Sequence, residues 1–349
     1  MSAVSELHLI IPAACGPLAE VQSLQDNPVL KHWVNTLSRA HSAVSADNLH
    51  DVIKSVFSLS IDGDLPTAAL TMFANQTHDA SLNYLHADPV HLRADLDHAI
   101  LSSSEDMSIK ENEAEQLCAA LNQHFNQDGL DFFRINNNQW VLSSKKPIQM
   151  NTTPLVDAVG RNVNFILPQG EGSGKWKQLL TEAQMLMHAH EVNINRDNHG
   201  YQSINSLWFH GCGKLPVITG SKITSVCSDH DVFKGLASQM KCDFIQRPNS
   251  VNEYMEFLLD NEDKSVDVLH FSELEHLINY TDVSIWLDRL TEILNDWVYP
   301  LLKLANKNNI KVTVYPCNNK RYQFSKYDSL KFWRRGSLGQ HVNSYSSNV

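Results

Sequence analysis

Apolar positions in the back half of the chain follow two periods. Short β-branched runs, SLWFH (206–210), ITSVC (223–227), VDVLHF (266–271) and IKVTVY (310–315), read as strands, and the segments between them space apolar residues three and four apart. Val232, Phe233, Leu236, Ala237 and Met240 share one helical face, as do Tyr254, Met255, Leu258 and Leu259. Leu287, Leu290, Ile293, Leu294, Trp297, Leu301 and Leu304 mark the longest helix, and Pro300 inside it lacks a backbone N–H and predicts a kink. This alternation predicts α/β layering around a mainly parallel sheet.

The front of the chain predicts a strand at Leu7 to Ile11 and amphipathic helices over Val29–Leu37 and Leu49–Phe57. The middle differs in character. Ser108 and Glu111 read as a capping box for a helix burying Ala114, Leu117, Cys118, Leu121 and Phe125. The strands DFFRI (131–135) and QWVLSS (139–144) follow, then the turn-rich LPQGEGSG and a helix with Trp176, Leu179, Leu180, Ala183, Leu186 and Met187 on one side. The expected organisation is a core from 1–85 and 204–335, an inserted smaller α+β domain over 86–203, and a polar, disordered tail at 336–349.

Composition narrows the function. At 349 residues with 28 Lys and Arg against 39 Asp and Glu, the formal charge of −11 offers no electrostatic footprint for phosphate backbones, so nucleic acid is not the expected ligand. No apolar run approaches the ~20 residues that cross a bilayer, and the opening lacks the pattern of a secretory signal, so a cytoplasmic protein is expected. Six scattered cysteines without a CxxC pair suggest reduced, buried thiols.

Seventeen histidines are the compositional oddity. In YLHADPVHLRADLDH (84–98), strand alternation sends His91, Arg93, Asp95 and Asp97 to one face and His86 and Asp88 to the other. Arg93 suits a phosphate or carboxylate, because its planar fork makes bidentate contacts. In HAHEVNINRDNHG (188–200), His188, Asn193 and Arg196 lie where a helix gives way to a loop leading to Asn205; they are candidate ligand contacts, or His188 and His190 simply complement the helix dipole. FHGCG (209–213) reads as a tight turn in which Cys212 is a candidate reactive thiol. SDHD (228–231) and SELEH (272–276) follow predicted strands, so His230, Asp231, Glu275 and His276 are possible metal ligands or ordinary helix caps.

The order of the blocks HLRAD, MSIKENEAEQLCAALNQHF, SINSLWFHGCGKLP, SVCSDHDVFKGLASQM, VDVLHFSELEH and WLDRLTEILNDWVYPLLK resembles the archaeal-type cofactor-independent phosphoglycerate mutases of the alkaline phosphatase superfamily. It is similar, more closely, to a bacterial offshoot of RpfE-type regulatory proteins. The resemblance implies an alkaline-phosphatase-like core with helices on both faces of the sheet, two divalent cations (Mn or Mg), a hydroxyl nucleophile and an insert closing over a phosphorylated acid. The chain departs from that pattern where the chemistry needs it. Ile11-Pro12-Ala13-Ala14 stands where the resemblance implies an Asp after the first strand, and Cys317-Asn318 where it implies an Asp-His pair. Thr67 alone corresponds to the nucleophile. A pseudoenzyme is therefore expected, with no cofactor, binding a small phosphorylated or carboxylated metabolite through Arg93, His188, Asn193, Arg196 and Asn205, with a protein partner possible. The rival is an active mutase or phosphatase whose metal sits on His230, Asp231, Glu275 and His276.

Overall fold

In the computed structural model, residues 6–16, 24, 26–95, 98–260, 266–279, 283–328, 331 and 333–336 are described. The chain divides into two units, Met1–Ser60 with Val217–Val349, and Ile61–Pro216.

In the first unit, β1 (Glu6–Ile10) is the central strand of seven and pairs in parallel with β10 (Val266–His270) and β11 (Lys311–Tyr315). Beyond β10, β8 (Ser225–Cys227) and β9 (Asp243–Ile245) continue the parallel run. Beyond β11, β12 (Lys320–Phe324) and β2 (His41–Val44) turn antiparallel. Leu7, Leu9, Leu269, Val312 and Val314 form one apolar face, covered by α1 (Pro28–Arg39), α8 (Val251–Asp260), α9 (Val283–Glu292) and α10 (Tyr299–Lys307). Ile10, Val226 and Val268 on the other face are also fully buried, as a parallel sheet requires. α2 (Leu49–Val56) and α7 (Asp231–Met240) complete this unit's helices among the described residues. The α/β core with a mainly parallel sheet expected from the sequence is present.

The kink expected at Pro300 is a π-helical turn, Ile293–Val298, joining α9 to α10. Proline offers no N–H to the helical ladder, and the wider turn absorbs that loss just before it.

In the second unit, the 13-residue β3 (Asn83–Asp95) pairs antiparallel with β6 (Trp140–Ser144), β7 (Ser206–Gly213) and β4 (His98–Ser102), and β5 (Leu130–Arg134) extends the sheet beyond β6. α3 (Thr67–Ala74), α4 (Glu111–Phe125), α5 (Ser173–His188) and α6 (Glu191–Asn198) belong to this unit. The SLWFH strand therefore joins an antiparallel sheet, not the parallel one. Buried along nearly its whole length, β7 presents the unbroken apolar run that parallel strands usually show. The ladder from β3 to β7 also places residues on both sides of the expected boundaries at 85 and 204 in one unit.

The cap of α4 differs from the expected Ser108–Glu111 box. The helix begins at Glu111, and Glu113 Oε2 accepts from the Lys110 N–H at 2.9 Å. Asp97 and the tail from 337 onward lie outside the described residues.

Candidate functional site

The densest buried polar group in the second unit forms where β3 faces β7. Period-two alternation puts His86 and Asp88 on one face of β3, and the register sets His210 opposite His86. Asp88 Oδ2 accepts from His210 Nε2 at 2.8 Å, and Asp88 Oδ1 accepts from the Trp140 N–H at 2.9 Å. The His86 and His210 rings stack with centroids 4.6 Å apart and planes 18° apart. Burial pushes the Asp88 carboxyl up to about 6 and the His210 imidazole down to about 3. Near neutral pH this is a carboxylate accepting from a neutral imidazole, whose Nδ1 has no hydrogen-bond partner.

Thr67, the first residue of α3, reaches this group. Its Oγ1 is buried without a hydrogen-bond partner and lies 1.9 Å from where a β-carbon on Gly211 would be. Gly211 has φ +59°, so the strand bends there and the missing side chain leaves room for the Thr67 hydroxyl. A threonine hydroxyl needs a base within hydrogen-bond reach to become a nucleophile. Thr67 has none in this geometry, and His210 at about 3 is too weak a base to supply one.

Beside it is a cavity of ≈ 430 Å³ lined by Asp62, Asp64, Asn151, Cys212 and Lys214 among others. The Asp64 carboxylate accepts from the Thr152 N–H at 2.8 Å and from the Thr152 hydroxyl, which itself accepts from the Gly211 N–H at 3.1 Å. Burial and the nearby Asp64 push the Cys212 thiol up to about 12, which corrects the expectation of a reactive cysteine.

Three of the expected ligand contacts serve the fold instead. Arg196 is buried, and its guanidinium donates to Gln202 O at 2.7 Å, Met107 O at 2.6 Å and Glu113 Oε2 at 2.6 Å. Asn193, in the first turn of α6, donates to Met187 O and Ile204 O and accepts from the Ile204 N–H, tying the end of α5 to the segment before β7. Asn205 accepts from the Leu92 N–H and donates to Leu92 O, acting as a strand partner for β3. Polar side chains buried beside irregular backbone satisfy that backbone first. His188 is exposed at the end of α5. Arg93 is exposed on β3 and makes no ion pair among the described residues.

Among the described residues, His86, Asp88 and His210 are the one group of three His, Cys, Asp or Glu whose donor atoms lie within 4.8 Å of one another. The alternative ligands His230, Asp231, Glu275 and His276 form no such group. His230 Nδ1 caps α7 by accepting from the Val232 N–H at 3.2 Å, and His276 is exposed. The sequence places His86 and Asp88 on one face; His210 joins them only through the β3–β7 register. The three are not a preformed cage, however. An ion bound by two imidazoles lies close to both ring planes at about 2.0–2.1 Å from each nitrogen, and planes this nearly parallel do not meet nearby. Ligation requires one ring to turn and the Asp88–His210 hydrogen bond to break.

The strand ends of the first unit do not fit a two-cation centre. After β1, Ala14 O accepts from the Trp33 indole N–H at 2.9 Å and Ala13 O from the Trp286 indole N–H at 3.0 Å. After β10 comes buried Phe271, with the Arg247 guanidinium 4.8 Å from its ring centroid. Arg247 pairs with Glu273 at 2.5 Å and Asp229 at 3.0 Å. After β11, Cys317 and Asn318 are buried.

A mainly parallel sheet flanked by helices, with an antiparallel α+β unit inserted in the sequence between β2 and β8, defines a two-unit α/β protein. Across 97% of the chain the fold matches a solved protein of Pyrococcus horikoshii, covering 92% of it at TM-score 0.55 and 12% identity. A cofactor-independent phosphoglycerate mutase of Thermoplasma acidophilum aligns over 92% of this chain and 90% of its own, at TM-score 0.41 and 16% identity. Residues 83–193 match the profile of the 2,3-bisphosphoglycerate-independent phosphoglycerate mutases. Enzymes of that name from Methanosarcina mazei and Methanosarcina barkeri are 25% and 26% identical over 172 residues, 46% of this chain and 43% of theirs. A second such mutase from Methanothermobacter thermautotrophicus is 29% identical over 139 residues, 37% of this chain and 34% of its own. The matches thus span less than half the length of these relatives. The similarity to the cofactor-independent phosphoglycerate mutases is carried by residues 83–193 and their partial matches. No helix among the described residues is long and apolar enough to cross a membrane.

Proposed function

We propose that this chain has kept the mutase fold without phosphoryl transfer, and that it binds a small phosphorylated or carboxylated acid in the cytoplasm as a regulatory protein, in the manner of the RpfE-type proteins it resembles. The observation that carries this reading is the chemistry at the strand ends of the parallel sheet. Two divalent ions bring four positive charges, which need several anionic donors to offset desolvation. Two backbone carbonyls engaged by indoles, a phenylalanine and a Cys-Asn pair stand there instead, and the carboxylates of Asp229 and Glu273 are engaged in ion pairs with Arg247. Arg93 is the anchor proposed for the acid, because its exposed fork is open to a bidentate contact. A protein partner would read the bound state.

The second reading, an active mutase or phosphatase with an altered metal site, is favoured by the buried Thr67 hydroxyl beside His86, Asp88 and His210. One experiment separates the two. Purified protein is assayed for interconversion of 2- and 3-phosphoglycerate with Mn²⁺ or Mg²⁺, while its melting temperature is followed against both acids. The proposal expects no turnover and a saturable stabilisation that Arg93→Gln weakens. Turnover that Thr67→Ala abolishes overturns it.

A further inference from the structure

Within the first unit, a cavity of ≈ 280 Å³ opens between α1, α10 and the β11–β12 pair, away from the strand ends discussed above. Its floor is apolar. Val312 and Ile310 line it almost fully buried, joined by Leu302 and Phe324, and Tyr299 stands at its edge with the His32 ring packed edge-on at 4.7 Å.

Into this apolar surround the last residue of α1 brings a cation. Arg39 is half-buried, its Nε is buried without a hydrogen-bond partner, and its guanidinium makes no ion pair or hydrogen bond among the described residues. The one carboxylate lining the cavity, Asp328, is engaged elsewhere. It accepts from the Ser325 N–H at 2.6 Å, the Ser325 hydroxyl at 3.0 Å and Lys331 Nζ at 2.5 Å. Asn306 also lines the cavity, and its Oδ1 is a buried acceptor without a donor.

A partly desolvated guanidinium whose buried Nε lacks any partner is costly to leave without a counter-charge. An anion from outside the chain supplies the missing charge, and a planar carboxylate fits the guanidinium fork bidentately. The apolar floor selects against small hydrophilic anions, since they would be desolvated without gaining contact. Asn306 adds a demand for a donor on the ligand.

We infer that this cavity is a binding site for a small amphipathic carboxylate, an acid with a flat apolar body and a hydroxyl or amino group remote from its carboxylate. The site is independent of the ligand proposed at Arg93.

The test is calorimetric titration of the full-length protein with 4-hydroxybenzoate as probe. 4-Hydroxybenzamide serves as the uncharged isostere, acetate as the anion without a body, and 3-phosphoglycerate as the hydrophilic acid. Saturable one-to-one binding of 4-hydroxybenzoate is expected, with the amide and acetate each weaker by about 10-fold or more, as the loss of a charge-assisted hydrogen bond or of the apolar contact predicts. Arg39→Gln is expected to lower the affinity by about 10- to 100-fold while Arg93→Gln leaves it unchanged. A far-ultraviolet circular dichroism spectrum and melting temperature like the wild type's show that Arg39→Gln has folded. Val312→Thr, which makes the floor polar at nearly constant volume, is expected to weaken the probe without abolishing the preference for carboxylate over amide. Absence of saturable binding up to the solubility of the probe, equal affinity for acid and amide, or unchanged affinity in a folded Arg39→Gln protein each overturns the inference.

Discussion

The hydroxyl of Thr67 occupies the volume that a side chain on Gly211 would need. A β-carbon built there would lie 1.9 Å from Thr67 Oγ1 and 3.2 Å from Thr67 Cβ, at a backbone φ of +59°. Gly211→Ala therefore combines overpacking with a strained left-handed backbone, and should cost about 3 kcal/mol. Thr67→Ala removes the closer contact, so the double variant should recover the overpacking part and leave about 1 kcal/mol of backbone strain. Urea denaturation of the two single variants and the double variant measures the coupling. Additive losses would show that the two positions do not share this space.

Arg196 holds three chain segments together through Glu113 and the carbonyls of Met107 and Gln202. Removing one partner of a buried ion pair leaves the other uncompensated. Arg196→Met should therefore lower stability by about 3–5 kcal/mol, read from the denaturation midpoint. Stability near the wild type's, with loss of metabolite binding, would restore Arg196 to the ligand site.

Acid should destabilise the protein through its buried neutral histidines. His270 is fully buried, with Nδ1 3.0 Å from Ser228 Oγ and Nε2 without a hydrogen-bond partner, and burial holds its imidazole well below the usual histidine range. His210 is lowered in the same way. The unfolded chain takes up these protons from about pH 6.5 downward and the folded chain does not, so stability is full above that range and is lost as pH falls. Each such group contributes up to about 1.4 kcal/mol per pH unit. Asp88 acts in the opposite sense. Raised to about 6, its contribution is full at low pH and is lost as pH rises through that value. His270→Asn should flatten the fall in melting temperature between pH 6 and 5, and Asp88→Asn should steepen it.

Thiol labelling should follow exposure. Cys15, Cys118, Cys212, Cys227 and Cys317 are buried and Cys242 is partly exposed. Under native conditions iodoacetamide should modify Cys242 first, with the other five protected until denaturant is added, as peptide mass spectrometry resolves. Early modification of Cys212 would contradict its burial.

The elements themselves were largely legible. Period-two runs became β1, β5, β6, β8, β10 and β11, and the face built from Leu290, Ile293, Leu294 and Leu301 became the helical stretch through α9 and α10. Such periodicities are local, because each strand or helix sorts its own apolar positions toward the core. Strand alternation even set His86 and Asp88 on one face. Its partner His210 was not legible, because it lies 122 residues from Asp88 along the chain and reaches it only through the β3–β7 register. Likewise no local pattern tells that Arg196 reaches Glu113, 83 residues away, or that Trp33 and Trp286 donate to adjacent carbonyls of one turn. Local chemistry determined which segments are helix or strand and where anionic donors are missing. Tertiary pairing alone decided which polar groups meet, because register is chosen by the packing of whole faces and not by the residues that come to share a site.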